Sequence, residues 1–304
     1  MAKKNTGFLK WLLYWLARLS ISLLSSIPVK VSCRLGAIVG GLLWRLLSKR
    51  RRIVEKNLKI VDTWLNAEGS NHGGSSVSSS KEVFRRTCGN MIAGFSFGRM
   101  SKERMKTHLD IQGIEHMQDA LSEGRGVILI LAHMGPWELL TAMAALGPEL
   151  GIEAKMAAIY RPLDNDYLDA WVRRTRQKNN TTLFNRKDGF HKPASFVKEG
   201  NILGILSDQR ASRGPRVPFF GRKVPTTPLP GLLHKRTDAP MLSLAVETTG
   251  LAKWRLTLFP VELPNELQNR TEDKEALARA TNQALENSLS KSVNDAFWLH
   301  NRFR

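Results

Sequence analysis

The chain has 304 residues, with 46 Lys and Arg against 27 Asp and Glu, a net charge of +19. A chain of this length buries a substantial core as one large α/β domain or two smaller ones, and its charge calls for an anionic partner: nucleic acid, anionic lipid or an acidic carrier protein. Two cysteines, Cys33 and Cys88, exclude a disulfide framework and have no metal-ligand spacing, so they read as free thiols in a reducing compartment.

Residues 8–24 are rich in Leu and Trp, residues 38–47 are apolar apart from Arg45, and a basic run of Lys49, Arg50, Arg51, Arg52, Lys56 and Lys59 follows. Lys10 and Arg18 interrupt the first stretch and Pro28 and Lys30 end it, so it falls short of the roughly 18 uncharged apolar residues of a spanning helix. The pattern predicts an N-terminal membrane-associating segment over residues 1–60, an interfacial helix pair. Trp11, Tyr14 and Trp15 would lie at the headgroup level and the basic residues over anionic lipid. Residues 66–80 are Gly/Ser-rich and aperiodic, which predicts a flexible loop, bounded at 61–82, ahead of an α/β domain over 83–304.

Beyond the loop, helix and strand alternate. A helix over 113–123 leads into a strand over 127–131, and a helix over 192–199 leads into a strand over 202–206; each strand ends at a polar residue, where open α/β sheets bind ligands. Further strands are expected over 154–160, 241–247 and 254–259, a helix from about Asp166, and a long amphipathic helix over 269–293 with Leu277, Ala280, Leu285 and Leu289 inward.

The step from His133 to Glu138 is where chemistry is expected. Five aliphatic residues, Val127 to Leu131, read as a strand buried on both faces. Gly135 marks a turn, and Pro136 fits the first position of a helix. In one continuous helix, residues five apart point about 140° apart. The break after the strand is what would let a first-turn Glu138 reach back to one imidazole nitrogen and leave the other to take a proton. Arg161, fixed after a strand and before Pro162, offers a planar fork for a phosphate or carboxylate, or a structural partner for Asp208. Asp208 in turn could orient Arg161 or substrate, or cap a turn. Arg173, Arg174 and Arg176 share the helix from Asp166, as a solvated face or as phosphate contacts.

The ordered motifs carry a resemblance. His133 and Glu138 fit an H-x-x-x-x-D/E pattern with Trp137 before the acid; Glu55-Lys56-Asn57-Leu58, Tyr160-Arg161-Pro162, Ser207-Asp208-Gln209, Phe219-Phe220-Gly221-Arg222, Thr226-Thr227 and Trp298-Leu299-His300-Asn301-Arg302 follow the same order. In these the chain resembles the bacterial lipid A biosynthesis acyltransferases of the lysophospholipid acyltransferase superfamily. The resemblance implies an α/β fold like that of glycerolphosphate acyltransferases, a mixed central sheet flanked by helices. It implies transfer of an acyl chain from acyl carrier protein, as co-substrate and without cofactor or metal, to a hydroxyl of a lipid A precursor. His133 would be general base, Glu138 would fix its tautomer, and Arg161, Arg173, Arg174, Arg176 and Asp208 would contact substrate. Membrane lipids are the expected partners, nucleic acid is not, and the cytoplasmic face of the inner membrane is the expected location. Enzymes acylating phosphatidylinositol mannosides or other glycolipids share the dyad, so the acceptor stays open. A basic scaffold or nucleic-acid-binding protein is the remote alternative, disfavoured by the lack of any helix-turn-helix, zinc or RNA-recognition signature.

Overall fold

A computed structural model describes residues 7–67, 78–178, 181–187, 189–264 and 270–304. At its centre is a seven-stranded sheet in the order β1-β9-β8-β2-β5-β3-β4, comprising β1 (Leu109–Gln112), β2 (Val127–Leu131), β3 (Met156–Tyr160), β4 (Thr181–Asn185), β5 (Ile202–Leu206), β8 (Met241–Gly250) and β9 (Lys253–Pro260). The sheet is mixed: β8 and β9 run antiparallel, and every other neighbouring pair is parallel. Every residue of β2 is buried, as its unbroken aliphatic run requires, and β8 and β5 flank it. A separate hairpin, β6 (Arg216–Phe219) with β7 (Arg222–Pro225), was not foreseen from the sequence.

Three helices precede the sheet: α1 (Phe8–Ser26), α2 (Val29–Leu46) and α3 (Ser48–Ala67). Of the described helices, α1 alone is long and apolar enough by itself to cross a membrane. None of its residues is buried, and Leu12, Leu16, Leu19 and Leu23 stand exposed along one side. α2 is half of the expectation only. Its Val31, Leu35, Ile38, Val39 and Leu42 are exposed, but Ser32, Gly36 and Gly40 are buried against α4 (Ser80–Phe97). A Cβ on Gly36 would stand 2.6 Å from the Cys88 carbonyl, and one on Gly40 would collide with the Phe84 carbonyl. Small residues one turn apart thus let two backbones touch.

The boundary expected at residue 60 falls inside α3, whose Val54, Leu58 and Val61 belong to the main core, so the N-terminal helices and the α/β layers share one interior. Of the span 61–82 expected as a loop, residues 61–67 belong to α3 and 80–82 to α4, which the Ser79 hydroxyl caps, while residues 68–77 lie outside the described residues.

Helices α5 (Lys102–Lys106), α6 (Ile114–Ser122), α7 (Leu139–Met143), α8 (Asp166–Lys178), α9 (His191–Lys198), α10 (Leu229–Thr237) and α11 (Arg270–Lys291) complete the layers. α11 buries the four predicted apolar residues, and with them Thr281, Asn282, Glu286, Ser288 and Ser290. It is therefore less an amphipathic surface helix than a core helix with a narrow wet stripe through Glu275, Arg279, Gln283, Asn287 and Lys291.

Candidate active site

Strand register builds the site. Leu131 of β2 is level with Leu206 of β5, and the Ser207 amide donates to the Leu131 carbonyl at 2.9 Å, so two residues beyond each strand His133 and Asp208 come face to face. His133 Nδ1 lies 2.7 Å from Asp208 Oδ1, and the His133 backbone N–H donates to Oδ2 at 3.0 Å. One carboxylate thus fixes both the ring and the main chain that carries it. With Nδ1–H given to Asp208, Nε2 keeps a lone pair.

The partner differs from the sequence expectation. Glu138 makes no hydrogen bond with His133; both its carboxylate oxygens accept from Arg176 Nη2 of α8, at 2.9 and 3.0 Å. The physical reason is the turn. Pro136 is not the first helical residue: α7 starts at Leu139, whose amide closes a turn on the Pro136 carbonyl, and Glu138 sits in that turn with its Cβ 3.2 Å from the place a Cβ on Gly94 of α4 would occupy. Glu138 is thereby carried toward α8, and strand pairing delivers Asp208 in its place.

Burial acts to lower the His133 pKa, but the Asp208 charge and hydrogen bond, joined by the Glu138 charge, outweigh it and the net shift is upward. Two aromatic rings enclose the imidazole. Trp137 stands edge-on at 5.5 Å, Phe297 at 6.3 Å, and the two rings are 5.8 Å apart.

Phe297 belongs to a segment the sequence reading did not place here. The Gly135 amide donates to the Asp295 carbonyl at 3.1 Å and the Phe297 amide to the His133 carbonyl at 2.8 Å, a short antiparallel ladder around the Met134–Ala296 bridge. Gly135 has φ +59°, and a Cβ there would stand 2.5 Å from Val246 Cγ1, so glycine is needed on two counts. The Asp295 side chain, fully buried, accepts from Arg86, Asn90, the Thr248 amide and hydroxyl, and Ser292, at 2.6–3.1 Å. From α3, Asn57 donates to the carbonyls of Trp298 and His300 at 2.9 and 2.8 Å. Only the tail motif from Trp298 onward was legible as a signal. Arg302, the last residue of that motif, is buried with Nη1 on the Pro225 carbonyl at 2.6 Å and its charge 4.9 Å above the Phe219 ring; burial pulls its pKa down to about 10, against the Asp208 charge.

The arginines divide. Arg176 alone of the α8 cluster turns into the site; Arg173 and Arg174 are exposed. Arg161 is exposed beyond β3 and is not the partner of Asp208, whose oxygens serve His133. A cavity of about 340 Å³ lies between α1, α4 and α8, with Glu138 and Arg176 in its lining. An apolar cavity of about 110 Å³ lies against the sheet, lined by Leu129, Leu131, Leu140, Met143 and Gly204 among others.

A family model described as bacterial lipid A biosynthesis acyltransferase matches residues 1–304. The chain is 24% identical over 299 residues to the lipid A biosynthesis palmitoleoyltransferase of Escherichia coli (strain K12), and 26% identical over 303 residues to the lipid A biosynthesis lauroyltransferase of the same strain. Each alignment covers 96% of this chain and 92% of the relative. A lipid A biosynthesis acyltransferase of Haemophilus influenzae is 28% identical over 207 residues, 66% of this chain and 60% of its own length.

Proposed function

Because the chain belongs to the bacterial lipid A biosynthesis acyltransferase family and is an acyltransferase, we propose that it moves a fatty acyl chain from an acyl carrier protein thioester to a hydroxyl of a lipid A precursor, with His133 as general base. The observation that supports this most is the Asp208–His133 pair, which leaves Nε2 as the free basic nitrogen. Nε2 takes the proton of the acceptor hydroxyl as its oxygen bonds to the thioester carbonyl carbon. The tetrahedral intermediate then collapses, the C–S bond breaks, and the proton passes from Nε2 to the departing sulfur. No acyl-enzyme and no cofactor enter the balance. Asp208 holds the tautomer and, with the Glu138 charge, stabilises the imidazolium. Arg176, Arg161, Arg173 and Arg174 supply positive charge on the acceptor side, where a phosphorylated lipid would arrive. The apolar cavity beginning at Leu131 and Leu140, each two residues from the site, suits the acyl chain.

The exposed apolar sides of α1 and α2 support attachment to the bilayer, and with the proposed acyl carrier protein donor the reading puts the enzyme on the cytoplasmic face of the inner membrane. The test of the reaction is His133→Ala, assayed with acyl carrier protein thioester and lipid A precursor. The expected fall in turnover is at least about 10²-fold, with the circular dichroism unchanged; near-normal transfer by that variant would remove His133 from the chemistry.

A further inference from the structure

The cavity beside Glu138 has a wall that the proposed reaction leaves unused. Arg18 of α1 and Arg99, just past α4, line it together with Arg176, so three guanidinium groups meet one carboxylate, that of Glu138, which Arg176 already holds. Arg18 donates to the Tyr14 hydroxyl at 2.8 Å and lies 5.1 Å above the Trp15 ring. Arg99 donates to the Ser22 carbonyl and to the hydroxyls of Ser22 and Ser26, at 3.1–3.4 Å. All these partners are neutral, and neither arginine has an ion pair among the described residues.

Position adds to charge. Tyr14, Arg18, Ser22 and Ser25 follow a helical spacing on the side of α1 turned toward α4 and α8, while Leu12, Leu16, Leu19 and Leu23 occupy the opposite, exposed side. Two exposed cations without a carboxylate partner among the described residues therefore stand at the seam between an apolar outer surface and the cavity, open to an anion arriving from outside. The planar arginine fork suits phosphate oxygens.

We infer that this cavity binds the phosphate of a membrane-embedded lipid headgroup, held by Arg18 and Arg99, with the lipid's chains left against the outer side of α1. The inference rests on the proposed acyl transfer to a phosphorylated lipid and makes α1 part of substrate recognition as well as attachment.

The test uses the full chain carrying His133→Ala, so that no turnover consumes the ligand. Calorimetric titration in detergent micelles compares a bisphosphorylated lipid A precursor with the same lipid after enzymatic dephosphorylation. Arg18→Gln and Arg99→Gln are each expected to weaken binding of the phosphorylated lipid about tenfold or more and to leave the dephosphorylated lipid unaffected. Arg18→Lys, which keeps length and charge, should recover little, and Arg279→Gln on the wet stripe of α11 should change neither affinity. Equal penalties on both lipids, or none, overturn the inference. Acyl transfer by the unmodified chain with no preference for the phosphorylated lipid overturns this site alone. Phosphate-dependent affinity in a chain that transfers no acyl group overturns the reaction and leaves the site standing.

Discussion

Asp208 faces the imidazole from β5 and Glu138 faces Arg176 from the turn before α7, so the two carboxylates have separable roles. Asp208→Asn removes the larger of the two charges that oppose burial, and the His133 pKa must fall. A base has to be neutral to act, so the acid limb of kcat/KM is expected to move to lower pH, with the plateau reduced roughly 10²-fold or more through loss of the held tautomer. Glu138→Gln should move the limb in the same direction but less, because its charge is the smaller influence. A pH–rate profile of both variants checks the order, and a larger shift for Glu138→Gln would restore the sequence expectation. Stability follows the same linkage. The folded-state pKa of His133 lies above the unfolded value of about 6.5, so the charged pair stabilises the fold below that pH, and the contribution is lost as pH rises through the folded pKa. Asp208→Asn should flatten that part of the pH dependence of Tm.

Between elements, the contact of α2 with α4 gives a matched test. Gly36→Ala drives a methyl into the Cys88 carbonyl and should lower stability by about 1–3 kcal/mol, whereas Gly41→Ala on the same helix meets open space and should be neutral or raise it by roughly 0.5–1 kcal/mol. Thermal melts of the two variants, made side by side, read the difference. Asp295→Ala leaves Arg86 paired with Glu82 alone and takes the acceptor from four other donors, and is expected to cost at least about 1–3 kcal/mol. The same scale explains what the sequence could tell. β2, β5 and the first half of β8 were legible as apolar runs buried on both faces, β9 by its alternation and β3 by its short apolar stretch, and the polar residues following β2 and β5 marked the site. The short strands β1 and β4 at the sheet's two edges bury residues only in part and left little pattern. The spacing of His133 and Glu138 suggested a local pair, but spacing along a chain does not state which strands lie side by side. The β2–β5 pairing, and with it Asp208, became visible only in three dimensions. Asp295 was missed for the same reason: its donors come from α4 and β8 as well as from its own turn.

For the molecule as a whole, the proposed attachment and the proposed phosphate contact both fall on α1. Removing residues 1–27 is expected to reduce flotation with liposomes and to abolish phosphate-dependent affinity together, whereas high salt should leave the intact chain on the membrane because apolar burial outweighs screened charge. Complete release by salt would contradict the apolar attachment. A protease-protection assay should find the α/β layers accessible from the cytoplasmic side. The ladder joining residues 295–297 to the loop after β2 also imposes an order of assembly. Of the described elements α1 is made before the sheet, and on the proposed reading it is free to meet the bilayer while the later elements are still being made. Phe297 and its neighbours leave the ribosome long after His133 and Trp137, so the imidazole lacks the second of its two aromatic walls until nearly all of the described fold has been translated. On the proposed mechanism the base, its carboxylate and the Trp137 ring are thus in place before the last wall of the site, which is complete only when nearly all of the described fold is.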